Sequence, residues 1–108
     1  MVVIHSRKGR IIIMYLILIY DIKQEKNYEK RQRMVFKTCK KYLKHIQKSV
    51  FEGELDQSQY LKLSLELKKY LNHNLDSCII FSGRNDIWMK KEFITKPIEE
   101  DDHHILNP

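Results

Sequence analysis

The chain has 108 residues, 43% of them hydrophobic and 31% charged, and its formal net charge is +6. This length allows one hydrophobic core and excludes a protein of two domains. The frequency of aliphatic and aromatic residues also excludes an intrinsically disordered chain. Because a core of this size is modest, a dimer interface would be a natural supplement to it.

The positive charge is concentrated in the first half of the chain. Residues 1–51 contain 13 Lys or Arg and 3 Asp or Glu, whereas residues 52–108 contain 7 and 11. A basic half favours a polyanionic partner, because nucleic acid phosphates attract such a surface in a salt-dependent way. Charge alone leaves open the alternative of a well-solvated surface with no such partner.

Residues 1–13 are predicted to be an N-terminal extension, followed by one folded domain over residues 14–96. The apolar run at residues 11–20 is too short to cross a bilayer, which takes ~20 residues, and no small-residue cleavage site follows it. Its β-branched residues and its abrupt polar end at Asp21 predict a buried strand. We therefore expect a cytoplasmic protein without a membrane partner.

A polar loop over residues 22–28 precedes an amphipathic helix predicted from Glu29 to Lys44. Hydrophobic residues recur at every third or fourth position on one face of this helix. The basic residues of the same segment are Lys30, Arg31, Arg33, Lys37, Lys40, Lys41 and Lys44. Residues 45–55 then combine β-forming residues with Gly53, which predicts one or two short strands.

The second half begins with a helix start signal, since Asp56 can cap a helix and Gln59 occupies the partner position of a capping box. The remaining predicted elements are a helix over residues 57–71, a strand over residues 77–82, a further strand over residues 87–95 and an acidic tail over residues 97–108. Cys39 and Cys78 lie in apolar stretches without a metal-binding spacing, so we interpret them as core residues in a reducing compartment.

This order of elements predicts an α+β fold, namely a ferredoxin-like βαββαβ plait with an extra C-terminal strand. In such a plait two helices cover one face of an antiparallel sheet. Because many unrelated functions use this fold, the fold by itself does not identify the function.

Asp21 is a candidate metal ligand, because it is the first polar residue after the hydrophobic strand and a rigid backbone would hold it. Mg²⁺ prefers oxygen ligands, keeps several waters and can be bound through one or two carboxylates. A twofold axis near Asp21 would supply the second carboxylate from the other subunit. The alternative is an aspartate that merely caps or turns the following loop.

Arg31 and Arg33 are candidates for nucleic-acid binding, because arginine makes bidentate contacts with phosphate. The alternative for both is a solvated helix face. Tyr20 and Phe51 could stack on bases. The strand position of Phe51 favours core packing instead, and the role of Tyr20 stays open.

Two segments resemble the small-subunit proteins of CRISPR adaptation, the Cas-two family. MYLILIYDI at residues 14–22 resembles the opening of that family, and IQKSVFEGEL at residues 46–55 resembles its central motif. An Arg-x-Arg pair at the start of the first helix and an Asp-Ser pair at residues 76–77 also match. The similarity covers about residues 14–96, and both motifs occur in the family's order and spacing.

The resemblance implies a ferredoxin-like homodimer in which the final strand crosses to the partner's sheet. It also implies a CRISPR adaptation protein that acts with the Cas-one integrase in spacer acquisition. Family members are described as metal-dependent endonucleases that cut RNA or duplex DNA, which implies Mg²⁺ as a cofactor. The alternative is a non-catalytic adapter that bridges integrase dimers and holds the duplex.

The resemblance also assigns roles to five positions. Asp21 matches the catalytic Mg²⁺ ligand, and its two copies would face each other across the dimer. The positions that match nucleic-acid-binding residues are Tyr20, Arg31, Arg33 and Phe51. Three features depart from the family. Residues 1–13 have no counterpart in it, the loop between Asp21 and Arg31 is longer and lacks the usual acidic residues, and His45 stands where some members carry arginine.

Overall fold

The computed structural model describes residues 13–84 and 92–95. Its elements in chain order are the strand β1 (Met14–Asp21), the helix α1 (Tyr28–Tyr42), the strands β2 (Lys44–Gln47) and β3 (Val50–Leu55), the helix α2 (Gln57–Tyr70) and the strand β4 (Ser77–Gly83). The strands form one antiparallel sheet in the order β2-β3-β1-β4. The predicted α+β class and the βαββαβ order of elements are therefore confirmed.

The remaining predicted segments fall largely outside the described residues. The further strand over residues 87–95 can be compared only at residues 92–95, which form no strand. Residues 1–12 of the predicted extension and the acidic tail over residues 97–108 lie outside the described range, so these predictions stay predictions.

The central strand β1 presents different side chains to the two faces of the sheet, because successive residues of a strand point in opposite directions. Leu16 and Leu18 point toward the helices and are at most 1% exposed. Ile17 and Ile19 point the other way and are less buried. We call the helix side the covered face and the opposite side the open face.

The core lies between the covered face and the two helices. Its fully buried side chains are Leu16, Leu18, Val35, Phe36, Cys39, Phe51, Leu55 and Leu63. Burial of one large apolar side chain contributes about 1.5–3 kcal/mol to stability. Cys39 is buried in the core as predicted, whereas Cys78 is only partly buried and packs against the core, and neither forms a disulfide.

Local signals set the helix boundaries. The predicted capping box of α2 is present, since Gln59 N–H donates to the Asp56 carboxylate (2.8 Å) and Asp56 N–H donates to Oε1 of Gln59 (2.9 Å). Helix α1 starts after Asn27, whose φ of 56° lies in the left-handed region that asparagine tolerates. The loop that follows Asp21 and the buried Ile22 thus ends in a left-handed turn at Asn27, directly before α1.

The close approach of β3 to Leu43 explains why the motif at residues 46–55 has glycine at position 53. A Cβ at Gly53 would lie 2.9 Å from Cδ2 of Leu43, which follows α1 and is itself buried. The motif therefore needs a residue without a side chain where the sheet passes beneath the end of α1.

Candidate metal and nucleic-acid site

Asp21 ends β1 on the open face and is exposed to solvent. The antiparallel ladder pairs it with Ser77, the first residue of β4. Within the part of the chain that the structure describes, its carboxylate makes no hydrogen bond and no ion pair. A rigid strand end therefore presents two available carboxylate oxygens to solvent.

Additional protein ligands are scarce around Asp21. Across residues 13–84 and 92–95, no three His, Cys, Asp or Glu side chains are grouped closely enough to surround a metal ion. A cation at Asp21 would therefore need water molecules, or oxygen atoms from a second copy of the chain, to complete its coordination.

The open face beside Asp21 is apolar. Ile19, Ile79 and Phe81 are 38%, 53% and 51% exposed, respectively. The strand register places Ile19 opposite Ile79 and Ile17 opposite Phe81, so these side chains are contiguous. We call these four residues the open-face patch. Contiguous exposed apolar surface of this kind is a candidate interaction site.

The side chain of Arg31 points into the protein, although it was predicted to contact phosphate. Its side chain is only 10% exposed, and it forms an ion pair with Asp76 (Nη2 to Oδ1, 3.0 Å). Its Nε donates to Oδ2 of the same carboxylate (3.1 Å), which completes a bidentate pair. Arg31 also donates to three backbone carbonyls of the preceding loop, those of Lys23, Glu25 and Lys26.

The Asp76 carboxylate is the centre of this network. Its side chain is completely buried. Besides the guanidinium of Arg31, the backbone N–H groups of Lys23 (3.0 Å) and Asn72 (2.7 Å) donate to it. Burial would raise the pKa of the Asp76 carboxyl, but the hydrogen bonds from Arg31, Asn72 and Lys23 outweigh that effect and hold the pKa below its usual value of 3.8.

Arg33 lies on a different side of α1 and is exposed. Three further exposed basic residues lie at helical spacing from it along the same face, and together they form the basic stripe: Lys30, Arg33, Lys37 and Lys40. The stripe runs for about 15 Å along the helix. Lys41 lies outside it and instead pairs with Glu66 of α2 (2.6 Å).

Tyr20 and Phe51 both lie in the core rather than at the surface. They are 2% and 0% exposed, and their rings stack with centroids 6.0 Å apart. Both side chains point to the covered face, whereas Asp21 points to the open face. In this conformation neither ring is accessible to a base, so their contact with nucleic acid stays a prediction and core packing describes their observed environment.

The hydroxyl of Tyr20 is buried and has no hydrogen-bond partner among residues 13–84 and 92–95. Leaving a buried polar group unsatisfied costs about 1–3 kcal/mol. We therefore expect Tyr20→Phe to stabilise the protein by about 1 kcal/mol, measured as a higher urea midpoint at pH 7. Tyr42→Phe is the control, because the Tyr42 hydroxyl donates to Glu66 (3.2 Å) and should not give such a gain. A lower midpoint for Tyr20→Phe would contradict the prediction.

His45 supports the hairpin. Its Nε2 lies 2.8 Å from the carbonyl oxygen of Lys48, and because a carbonyl only accepts, Nε2 carries the proton. Its ring packs against Phe36 and Phe51, at 5.2 Å and 4.9 Å between centroids. These contacts give the His45 side chain a structural role in the hairpin and the core beside it.

No helix within the described residues has the length and apolar character needed to span a bilayer. From Met14 onward the apolar run forms β1, a strand of the sheet, as predicted.

Comparison with known proteins places these features in a family context. The family model described as CRISPR associated protein Cas2 matches residues 14–91. A protein of Fusobacterium nucleatum named CRISPR-associated endoribonuclease Cas2 is 46% identical over 81 residues, which cover 75% of this chain and 76% of the relative. A protein of Moorella thermoacetica with the name CRISPR-associated endoribonuclease Cas2 2 is 38% identical over 91 residues, covering 83% and 100%.

A solved structure is also similar. The crystal structure of Streptococcus pyogenes Cas2 at pH 6.5 matches with a TM-score of 0.62 and 25% identity, and the match covers 73% of this chain and 98% of that chain.

Proposed function

Because the chain belongs to the Cas2 (Cas-two) family of CRISPR-associated proteins, we propose that it is a CRISPR adaptation protein and a Mg²⁺-dependent endonuclease. The observation that carries this proposal is the exposed Asp21 carboxylate, which has no partner in the described part of the chain and is fixed at the end of β1. The name endoribonuclease, carried by the relatives, favours RNA as substrate, and duplex DNA is the second candidate.

The residues present fit a weakly held Mg²⁺ ion. Magnesium is commonly bound through one or two carboxylates and otherwise keeps its waters, and Asp21 offers one carboxylate from each chain. Bound Mg²⁺ would supply an activated water and stabilise charge on the scissile phosphate. Asp21 would hold the ion, and the strand pairing with Ser77 would keep that carboxylate in place.

We propose that the exposed basic stripe on α1 holds the nucleic acid backbone. Arg33 supplies a planar fork for phosphate, and the lysines supply mobile point charges. The logarithm of the binding constant falls linearly with the logarithm of the salt concentration, and we call the steepness of that line the salt slope. Each phosphate that the protein neutralises contributes about 0.9 to the slope on duplex DNA and about 0.7 on a single strand. A stripe of four cations therefore accounts for a slope of up to about 3.6 on duplex DNA.

The dimer is proposed to form through the open face. Exposed apolar side chains begin directly beside Asp21, so an isologous interface there would bring the two Asp21 residues into one region. A second copy of the chain would also cover Ile79 and Phe81, which are otherwise half exposed.

We expect Ile79→Asp to convert the dimer into a monomer at micromolar concentration, because a charge buried in an apolar interface lacks a partner. The measurement is sedimentation or light scattering over a concentration series. Leu65→Asp is the matched control, since Leu65 is 63% exposed on α2 and lies away from the open face. If Ile79→Asp remained a dimer and Leu65→Asp dissociated, the result would show that the dimer interface lies on the helices rather than on the open face.

The direct test of the proposed activity uses labelled single-stranded RNA and labelled duplex DNA with the wild-type protein. Cleavage is expected with Mg²⁺ and should stop when EDTA is added. Cleavage that continues in EDTA would exclude metal dependence. Binding without any cleavage would instead support the adapter function.

One observation favours the adapter as a second candidate. The basic stripe belongs to α1, which packs on the covered face, whereas the Asp21 side chain lies on the open face. A duplex held along the stripe would therefore not need to reach Asp21. In that role the dimer would hold the duplex between Cas-one integrase dimers in the cytoplasm, and affinity would fall steeply with salt.

A further inference from the structure

The two arginines at the start of α1 have different environments. Arginine has five N–H donors and no acceptor. In Arg31 the five hydrogen bonds to Asp76, Lys23, Glu25 and Lys26 use that full number. Arg33 is exposed, and no hydrogen bond within the described chain involves its side chain. Of these two arginines, only Arg33 therefore has donors available for a phosphate group.

The acceptor side of the network is equally complete. Each carboxylate oxygen of Asp76 accepts two hydrogen bonds, one from Arg31 and one from a backbone N–H. A carboxylate has about four lone-pair sites. If Arg31 turned outward to a phosphate, it would leave Asp76 buried without its counter-charge, which is strongly unfavourable.

The position of the network connects it to Asp21. Arg31 donates hydrogen bonds to the backbone carbonyls of residues 23, 25 and 26. These residues belong to the loop that begins just after Asp21. Asp76 immediately precedes Ser77, the register partner of Asp21. The pair thus joins the chain segment that leaves Asp21 to the segment that enters the strand beside it.

We propose that Arg31 and Asp76 form a positioning pair that fixes the carboxylate of Asp21, and that Arg31 makes no phosphate contact. The role of Arg33 as the phosphate-binding arginine of this helix is the other half of the same inference. The link to Asp21 rests on the proposed nuclease function, whereas the division of roles between the two arginines needs only nucleic-acid binding.

The division of roles is tested by the salt dependence of binding. Affinity of Arg31→Lys, Arg31→Ala and Arg33→Ala for a labelled duplex is measured in EDTA between 50 and 300 mM salt, a range of about sixfold. Arg33→Ala should reduce the slope by about 0.9, the value for one lost phosphate contact. Arg31→Ala and Arg31→Lys should keep the wild-type slope. An equal loss of slope in Arg31→Ala and Arg33→Ala would overturn the inference.

The positioning role is tested by cleavage kinetics with Mg²⁺. Arg31→Lys keeps the positive charge but cannot form the bidentate fork. We expect it to lower kcat by at least about tenfold with KM for the nucleic acid unchanged, because groups that orient metal ligands are worth 10- to 100-fold. A raised KM with an unchanged kcat would instead identify Arg31 as a substrate contact and overturn the proposal.

A folding defect is separated from the positioning role by hydrogen exchange on the intact protein. Arg31→Lys should accelerate exchange of the Lys23 and Asn72 amides, which donate to Asp76, while core amides of β1 keep their protection. Unchanged exchange at both amides would overturn the pair as a positioning device.

If the wild-type protein binds nucleic acid but does not cleave it, the nuclease proposal fails, and the salt slopes still show which arginine contacts phosphate. If the wild-type protein does not bind nucleic acid either, the hydrogen-exchange rates of the Lys23 and Asn72 amides still show whether Arg31 and Asp76 hold the loop in place.

Discussion

Asp21→Asn is expected to reduce Mg²⁺-dependent cleavage by at least about 100-fold, because even groups that only orient a metal ligand are worth 10- to 100-fold. Asparagine keeps the shape of the side chain and one carbonyl oxygen but loses the negative charge that holds the cation. Since Asp21 is exposed and its carboxylate has no partner within the described residues, the free energy of unfolding should change by no more than about 0.5 kcal/mol. The measurement is the initial cleavage rate at saturating Mg²⁺, with urea unfolding and oligomeric state determined on the same samples.

The matched control for that experiment is Asp56→Asn. Asp56 is the N-cap of α2, where asparagine caps about as well as aspartate, so the same chemical change should leave cleavage and stability intact. Equal cleavage rates for wild type and Asp21→Asn would show that the Asp21 carboxylate takes no part in cleavage. The basic stripe would then become the functional feature, and the adapter would be the better account.

The secondary structure could be predicted closely because its signals are local. β1 ends at Asp21 as predicted, since the hydrophobic run stops there abruptly. The capping box set the start of α2. The number of strands within residues 45–55 stayed open because the sequence gives no strong turn signal there. In the structure this segment contains two strands, β2 and β3, and Lys48 lies between them with a φ of 47°.

The opposite placement of Tyr20 and Asp21 follows from their being consecutive residues of a strand. Once Asp21 is assigned to the open face, Tyr20 must point to the covered face. Its burial was therefore deducible from the strand prediction. The stacking partner Phe51 could not be deduced, because the register of β1 with β3 depends on contacts between segments distant in sequence.

The roles of Arg31 and Arg33 were harder to separate, although a signal was present. Arg31 lies four residues before the buried Val35 and eight before Cys39, so it falls on the apolar face of α1, whereas Arg33 does not. A charged residue on that face needs a buried partner. The identity of that partner was out of reach, since Asp76 is 45 residues further along the chain and nothing in its neighbourhood marks it as buried.

Asp76→Asn is expected to destabilise the protein by about 3 kcal/mol at pH 7, the low end of the cost of removing one partner of a buried ion pair. Asparagine retains a hydrogen-bond acceptor, but the guanidinium of Arg31 is left buried without a counter-charge. The measurement is urea unfolding at pH 7. Glu66→Gln, which removes an exposed ion pair with Lys41, is the control and should cost much less.

The same pair predicts how stability depends on pH. Because the folded protein holds the pKa of Asp76 below 3.8, its ionised form stabilises the fold above that pH, and this contribution is lost as the pH falls through the lowered pKa. The difference in stability between wild type and Asp76→Asn should therefore be full near neutrality and shrink below about pH 4. A difference that stays constant down to pH 2 would show that Asp76 acts through its shape rather than its charge. In that case the loop after Asp21 would be held by the backbone bonds to Lys23 and Asn72 more than by the charge of Arg31.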